Sequence, residues 1–251
     1  MLSNTTVAEG IWVMRLVAPA IAEQVKPAQF VNVQTDGGLS PFLRRPLSIL
    51  RADAQAGWIE VYYDVIGPGT ERLAEKVVGS TVDLLGPLGL PYQPDGKHTL
   101  LVGGGVGVVP LAYLAWYYPD LRESMTLLMG AANAARMPDM AKIVPNDLPT
   151  VLATDDGSIG HHGYVTELIS EHAEAGTTIL TCGPHGMMAR VAEIAAKADM
   201  PCYASLENHM ACGFGACVGC VVEYQTCERE DEKYRRICLE GPVVNAHEIV
   251  W

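Results

Sequence analysis

Along the first third of the chain, apolar and polar residues alternate in short runs: IWVMRLVA from Ile11, QFVNVQT from Gln29, RRPLSILRA from Arg44 and WIEVYYDVI from Trp58. A period of two puts every second side chain on one face, and Gly, Pro and Asp separate the runs, so short strands are predicted. Such strands suit a small antiparallel β-barrel or sandwich. From about Thr99 the pattern changes. HTLLVGG, SMTLLMG, PTVLAT and TTILTCG are compact apolar runs without alternation, as in parallel strands buried on both faces, and stretches of helical period follow several of them. This predicts an α/β doubly wound nucleotide-binding domain. The Pro- and Gly-rich stretch 87–97 and Pro201 mark boundaries, so the chain divides into units 1–97, 98–202 and 203–251.

With 251 residues the chain can bury a sizeable core, whether as one large domain or as two ordinary ones and a small module. Its formal net charge of -12 argues against a nucleic-acid groove or an anionic membrane surface as partner, since both call for clustered Lys and Arg. The opening residues MLSNTTVAEG have neither a basic start nor an apolar stretch, so no secretory signal, a reducing cytoplasmic location and no disulfides are expected. Thr99 to Tyr118 carries no charge over about the length of a membrane span. Gly103, Gly104, Gly105, Gly107 and Pro110 would break a single helix there, and a strand, a glycine turn and a helix fit the same residues better.

Cysteine is unevenly placed. Of seven, only Cys182 precedes Cys202. Cys212, Cys217 and Cys220 form C-x4-C-x2-C and Cys238 follows after an insertion, the plant-type spacing of a 2Fe-2S cluster. The small residues between them let the backbone fold tightly and direct N–H groups at the sulfurs. A zinc ribbon would rather repeat C-x2-C twice. Cys227 competes for the fourth ligand position, but it lies in the charged loop TCEREDEKYRR, whereas RRICLEGPVV offers Cys238 a short apolar strand. Cys202 reads as structural, and Glu207 and His209 as surface residues.

Arg44-Arg45-Pro46-Leu47-Ser48 lies on a predicted strand and combines guanidinium groups suited to a pyrophosphate with a hydroxyl suited to a flavin ring nitrogen. Taken alone, paired arginines on a strand are more often a solvated edge. Gly67-Pro68-Gly69-Thr70 precedes the helical stretch ERLAEKVVG, an anion site or an ordinary capped turn. Gly103-Gly104-Gly105-Val106-Gly107 follows a strand and opens a helix, so a cofactor can approach the backbone closely there. Cys182-Gly183-Pro184 ends another strand at the edge of the sheet where ligands bind in such folds; a buried structural thiol is the competing reading of Cys182.

In this order, the arginine–serine strand, G-P-G-T, GGGVGVVP and CGPHGM resemble the ferredoxin-NADP reductase superfamily. With SLENHMACGFGACVGC and RRICLEGPVV added, nearly the whole chain is similar to the electron-transfer subunits of dihydroorotate dehydrogenase B. The resemblance implies a multidomain chain with an FAD-binding β-barrel, an NAD-binding α/β domain and a C-terminal 2Fe-2S module. Arg45, Pro46, Leu47, Ser48, Tyr62, Tyr63, Asp64, Gly69 and Thr70 would contact FAD, and Cys212, Cys217, Cys220 and Cys238 would hold the cluster. Ser48 would stabilise the reduced flavin, while Cys182, Gly183, Pro184 and the Gly103–Gly107 loop would position NAD(H). It further implies an FMN-containing catalytic subunit as partner, two of each, with electrons from dihydroorotate passing through the cluster and FAD to NAD+ in pyrimidine biosynthesis. Two departures stand out. Leu47 occupies a position that is often aromatic, which leaves flavin stacking to Tyr63, and Asp64 replaces an Arg found in relatives. Asp155 and Asp156 would repel a 2'-phosphate, which favours NAD over NADP. An NAD(P)H:ferredoxin or sulfide-type oxidoreductase subunit and a zinc-stabilised nucleotide-binding regulator remain as alternatives.

Overall fold

A computed structural model describes residues 1–36, 38, 40–95, 97–225 and 233–251. The alternating runs form β2 (Ile11–Val17), β3 (Phe30–Val33), β4 (Arg45–Asp53) and β5 (Trp58–Asp64), joined by β1 (Ser3–Ala8) and β6 (Leu84–Leu88) in one six-stranded sheet. Its order is β1-β2-β5-β4-β3-β6, and every pairing is antiparallel. The edge strands β1 and β6 do not pair with each other among the described residues. Backbone bonds link the two edges instead: Gly79 N–H donates to the Met1 carbonyl at 3.0 Å and the Met1 amino group to the Ser80 carbonyl at 2.9 Å.

Period-two alternation divides this sheet between two cores. Met14 and Leu16 of β2 and Ile59, Val61 and Tyr63 of β5 fill the front core. Ile11, Val13 and Tyr62 turn the other way, toward the helix Val108–Tyr117. That second cluster joins the front sheet to the rear one.

The rear sheet comprises β7 (Thr99–Gly104), β8 (Met125–Ala131), β9 (Thr150–Thr154), β10 (His161–His162), β11 (Thr178–Cys182), β12 (Cys202–Ser205) and, beyond the short strands β13 (Val221–Glu223) and β14 (Tyr234–Arg236), β15 (Val243–Asn245). Its order is β10-β9-β8-β7-β11-β12-β15, parallel except for β15. Central β7 is buried along its whole length, and burying each Leu or Val there contributes about 1.5–3 kcal/mol. The helix Val108–Tyr117 covers one face, and His185–Lys197 covers the other through Met188, Val191, Ala192 and Ala195, the spacing of one helical stripe.

The uncharged stretch from Thr99 is therefore a strand, a tight turn at Gly105–Gly107 and a helix. Among the described residues no helix is long and apolar enough to cross a membrane. The tail leaves the rear sheet after β12, folds β13 against β14, and returns as β15 beside β12.

Candidate functional site

The cysteine loop lies between β12 and β13. Pairing of Val221 with Arg236, and a bond from Ile237 N–H to the Cys220 carbonyl at 3.0 Å, carry Cys238 on the turn Ile237–Glu240 back beside Cys220. Their sulfurs are within hydrogen-bonding reach, and burial, reinforced by the neighbouring Cys220, pushes the Cys238 thiol up to about 12. At Cys212 burial also works against ionisation. The N–H groups of Cys217 and Phe214, the Cys217 thiol and the Ala216 N–H nevertheless converge on its sulfur and hold the thiol down to about 6. The Cys217 N–H lies 3.4 Å from that sulfur. The four thiols thus form two neighbouring pairs, Cys212 with Cys217 and Cys220 with Cys238. Among the described residues no group of three His, Cys, Asp or Glu is arranged to hold a single metal ion, and two thiol pairs match a two-iron core better than one zinc. Cys227 lies outside the described residues. Cys202 is buried in β12.

On the front sheet, Arg45, Pro46, Leu47 and Ser48 are half-buried along the start of β4. The Arg45 guanidinium covers Gly69 in the helix Pro68–Ala74; a Cβ on Gly69 would come within 2.3 Å of Arg45 Nε, so any larger residue there would push the guanidinium aside. Thr70 Oγ1 accepts from Ile66 N–H at 3.1 Å and donates to the Gly67 carbonyl at 3.2 Å, closing its own turn. Arg44 turns away to Asp83 at 2.8 Å.

One expectation for this sheet is corrected. Tyr63 is buried in the front core with its hydroxyl donating to Asn4 Oδ1 at 2.9 Å, so its ring offers no face for flavin stacking. Strand alternation turns Tyr62 the opposite way, where its hydroxyl is buried without a partner. Asp64 is engaged through both carboxylate oxygens by Arg136, which also donates to the Glu9 carbonyl at 2.7 Å. It therefore ties the front sheet to the rear unit.

A cleft of about 770 Å³ opens at the carboxyl ends of the rear strands, lined by Gly104, Gly105, Arg136, Asp155, Pro184 and Met187 among others. Gly104 admits Met187 and Pro184, since a Cβ there would lie 2.6 Å from the Met187 sulfur. Gly107 serves packing: a Cβ would sit 2.2 Å from the Cys182 carbonyl oxygen. Gly103 faces Leu111 of the covering helix, and Gly183 backs onto Gly104. Asp155 is exposed at the cleft, whereas Asp156 accepts from the Ser158 hydroxyl at 2.6 Å and folds into its own loop. Cys182 is 1% exposed; burial, then the nearby Glu207 carboxylate, raise its thiol far above the ordinary range despite a bond with Ser205. It is a neutral, buried thiol, as in the competing structural reading of Cys182.

Comparison with known proteins follows this geometry. Residues 207–250 match the profile of the iron-sulfur cluster binding domain of dihydroorotate dehydrogenase B. The chain is 35% identical over 255 residues to the electron transfer subunit of dihydroorotate dehydrogenase B (NAD(+)) from Desulforamulus reducens, covering 100% of this chain and 97% of the relative. It is 36% identical to the subunit of the same name from Bacillus caldolyticus, over 99% and 96% of the two chains. The chain belongs to the dihydroorotate dehydrogenase B electron-transfer subunit family. It is thus an oxidoreductase subunit for electron transfer. The structure of an NADH-dependent reduced ferredoxin-NADP oxidoreductase superposes with a TM-score of 0.87 at 25% identity, over 100% of this chain and 88% of that one. A ferredoxin NADP+ reductase from Neisseria gonorrhoeae shares the fold at a TM-score of 0.62 and 18% identity, over 83% and 92% of the chains.

Two further residues join these sites from outside the motifs. Arg136 enters the cleft from the loop after β8, and Asn32 donates from β3 to the Cys212 carbonyl at 3.1 Å. Glu207 is exposed, as expected of a surface residue, and its charge helps to raise the Cys182 thiol. Neither Arg136 nor Asn32 belongs to such a motif, and only chain topology brings them in.

Proposed function

We propose that the chain conveys electrons, released from dihydroorotate at the FMN of a catalytic subunit, through a 2Fe-2S cluster and FAD to NAD+. The observation that carries this reading is the docking of the cysteine loop on the front sheet: Cys212 is bonded to Asn32, and β3 pairs directly with the Arg45–Ser48 stretch of β4. Residues 1–97 would form the FAD-binding β-barrel, 98–202 the NAD-binding domain and 203–251 the cluster module, the last anchored on the rear sheet by β12 and β15. Both the closing of the barrel and these limits belong to the proposal. When bound, the flavin exchanges hydride with NAD(H) and single electrons with the cluster.

The chain's own residues bind and orient. Arg45, above Gly69, is placed to meet a pyrophosphate, with Pro46, Leu47, Ser48 and Thr70 alongside. The Ser48 hydroxyl can donate to a ring nitrogen. Cys212, Cys217, Cys220 and Cys238 would hold the cluster, with backbone N–H groups at the Cys212 sulfur favouring the thiolate. Gly104, Gly105, Pro184 and Met187 shape a small-walled cleft for the nucleotide, and Asp155 supports NAD by accepting from a ribose hydroxyl and repelling a 2'-phosphate. Cys182 closes β11 as a buried thiol that holds its proton. Two copies of each subunit and a cytoplasmic setting complete the reading.

Anaerobic purification beside the catalytic subunit tests it. The expected product is brown-yellow, contains iron, sulfide and flavin, and reduces NAD+ with dihydroorotate only when both subunits are present. Colourless protein, or equal turnover without the partner, would refute it. The TM-score of 0.87 to a ferredoxin-linked reductase favours a small electron carrier as the second reading, in which such a carrier rather than dihydroorotate bleaches the spectrum.

A further inference from the structure

Asn32 is fully buried in β3, flanked in sequence by Val31 and Val33, where an apolar residue would serve the sheet at lower cost. Its side-chain Nδ2 donates to the Cys212 carbonyl at 3.1 Å, across 180 residues of sequence. Its Oδ1 is buried with no partner, a penalty that a purely structural residue would not retain. The amide orientation follows from the acceptor, because a flip would set two oxygens against each other. Gly213, at φ +76, admits the amide: a Cβ there would lie 2.0 Å from Nδ2. On the sheet, Asn32 stands opposite Pro46 in β4 and Leu85 in β6.

One amide therefore joins the strand beside Arg45–Ser48 to the peptide that follows the first cysteine of the loop. Holding the Cys212 carbonyl fixes the plane of that peptide. The succeeding N–H groups of Phe214, Ala216 and Cys217 are then turned back onto the Cys212 sulfur. N–H bonds to sulfur tune cluster potentials, and electron tunnelling falls steeply with separation, so this contact acts on both driving force and distance.

We propose that Asn32 is a positioning residue that sets the spacing of the cluster loop from the flavin strand and the hydrogen bonding of Cys212, and thereby controls electron passage between the two cofactors. The inference rests on the functional reading above. It needs no direct contact between Asn32 and either cofactor.

The test uses the full complex with Asn32→Leu, which removes the donor, and Asn32→Asp, which keeps the shape and loses the donor, each reduced anaerobically with NADH. Flavin absorbance in stopped flow reports the first step, and electron paramagnetic resonance of rapidly frozen samples reports arrival at the cluster. Flavin bleaching within about twofold of wild type, with cluster reduction slowed about tenfold or more and an altered cluster signal in both variants, supports the proposal. It is overturned if both variants fill the cluster at the wild-type rate with an unchanged signal. It is equally overturned if flavin bleaching slows as much as cluster filling, or if Asn32→Asp loses its fold or cofactors outright, since the amide would then serve general structure. Wild-type protein lacking iron or flavin would instead defeat the functional reading itself.

Discussion

Gly107 and Gly186 provide the sharpest test of the packing beneath the nucleotide cleft, because the same change should act with opposite sign at the two positions. Gly107 has φ −64, so alanine meets no conformational penalty there and any effect is steric. Its Cβ would lie 2.2 Å from the Cys182 carbonyl oxygen, 2.3 Å from the carbonyl carbon and 2.5 Å from the Gly183 nitrogen. All three are backbone atoms that cannot rotate aside, so the glycine turn and the end of β11 must separate. Overpacking of this kind costs about 1–3 kcal/mol, equivalent to a melting temperature about 2–12 °C lower for a chain of this size. Gly186 lies in the helix His185–Lys197, and a Cβ there would meet nothing within 4 Å. Alanine should stabilise that helix by up to about 1 kcal/mol. Thermal unfolding followed by circular dichroism, without nucleotide, measures both. Gly107→Ala also separates Gly105 from Pro184 across the cleft, so a raised KM for NADH should accompany its loss of stability. If Gly107→Ala melts at or above Gly186→Ala, the close approach of the two turns is refuted.

Other consequences are as direct. Cys238→Ser should abolish or grossly alter the iron signal in electron paramagnetic resonance while flavin absorbance persists; an unchanged signal would move the fourth ligand elsewhere. Arg136→Ala removes both bonds to Asp64 and the one to Glu9, costing about 1 kcal/mol after allowing for solvent at the partly exposed guanidinium, and it raises the KM for NADH because Arg136 lines the cleft. A double-mutant cycle with Asp64→Asn should fall well short of additivity, and strict additivity would argue against the ion pair. Burial pushes the Tyr63 hydroxyl up to about 12, although its bond to Asn4 opposes this. Its folded pKa is above its unfolded value, so the contribution is complete below about pH 10 and is lost as pH rises through about 12, amounting to roughly 2–3 kcal/mol. Denaturant titrations across that window should show this slope in the wild type and a smaller one in Tyr63→Phe.

Legibility in the sequence followed the range of the interactions. The strands β2 to β5 were readable because a half-buried strand writes its period into adjacent residues, and the plant-type cysteine spacing was readable because three of the cysteines lie in one loop. β1 was missed because SNTTVA is a polar edge, and β6 because LLGPL carries Gly and Pro inside the strand. β15 is three residues long and owes its existence to β12, some 40 residues earlier. The Asp64–Arg136 pair spans 72 residues and the Asn32–Cys212 bond 180, distances at which no local pattern survives. The burial of Tyr63 is a different case. Adjacent residues on a strand send their side chains opposite ways, and the alternation of WIEVYYD already assigned the Tyr63 ring to the side of Ile59 and Val61.

The tail's attachment explains how a short, glycine-rich loop can hold a fixed place. Ser205 of β12 pairs with Val243 of β15, so the excursion that contains all four cysteines leaves and returns at the same rung of the rear sheet. Leu206 N–H adds a bond to the Pro242 carbonyl at 2.9 Å just outside that rung. Toward the front sheet, Leu90 N–H donates to the Gly241 carbonyl at 2.6 Å and Asn32 to the Cys212 carbonyl at 3.1 Å, one at each end of the excursion. Each bond alone is worth only about 1 kcal/mol and would open often. Acting on the two ends of a single closed loop, they share one ordering cost, because whichever forms first fixes most of the geometry required by the others. The position of the cysteine loop relative to the Arg45–Ser48 strand is therefore set by two sheets in parallel rather than by a flexible linker.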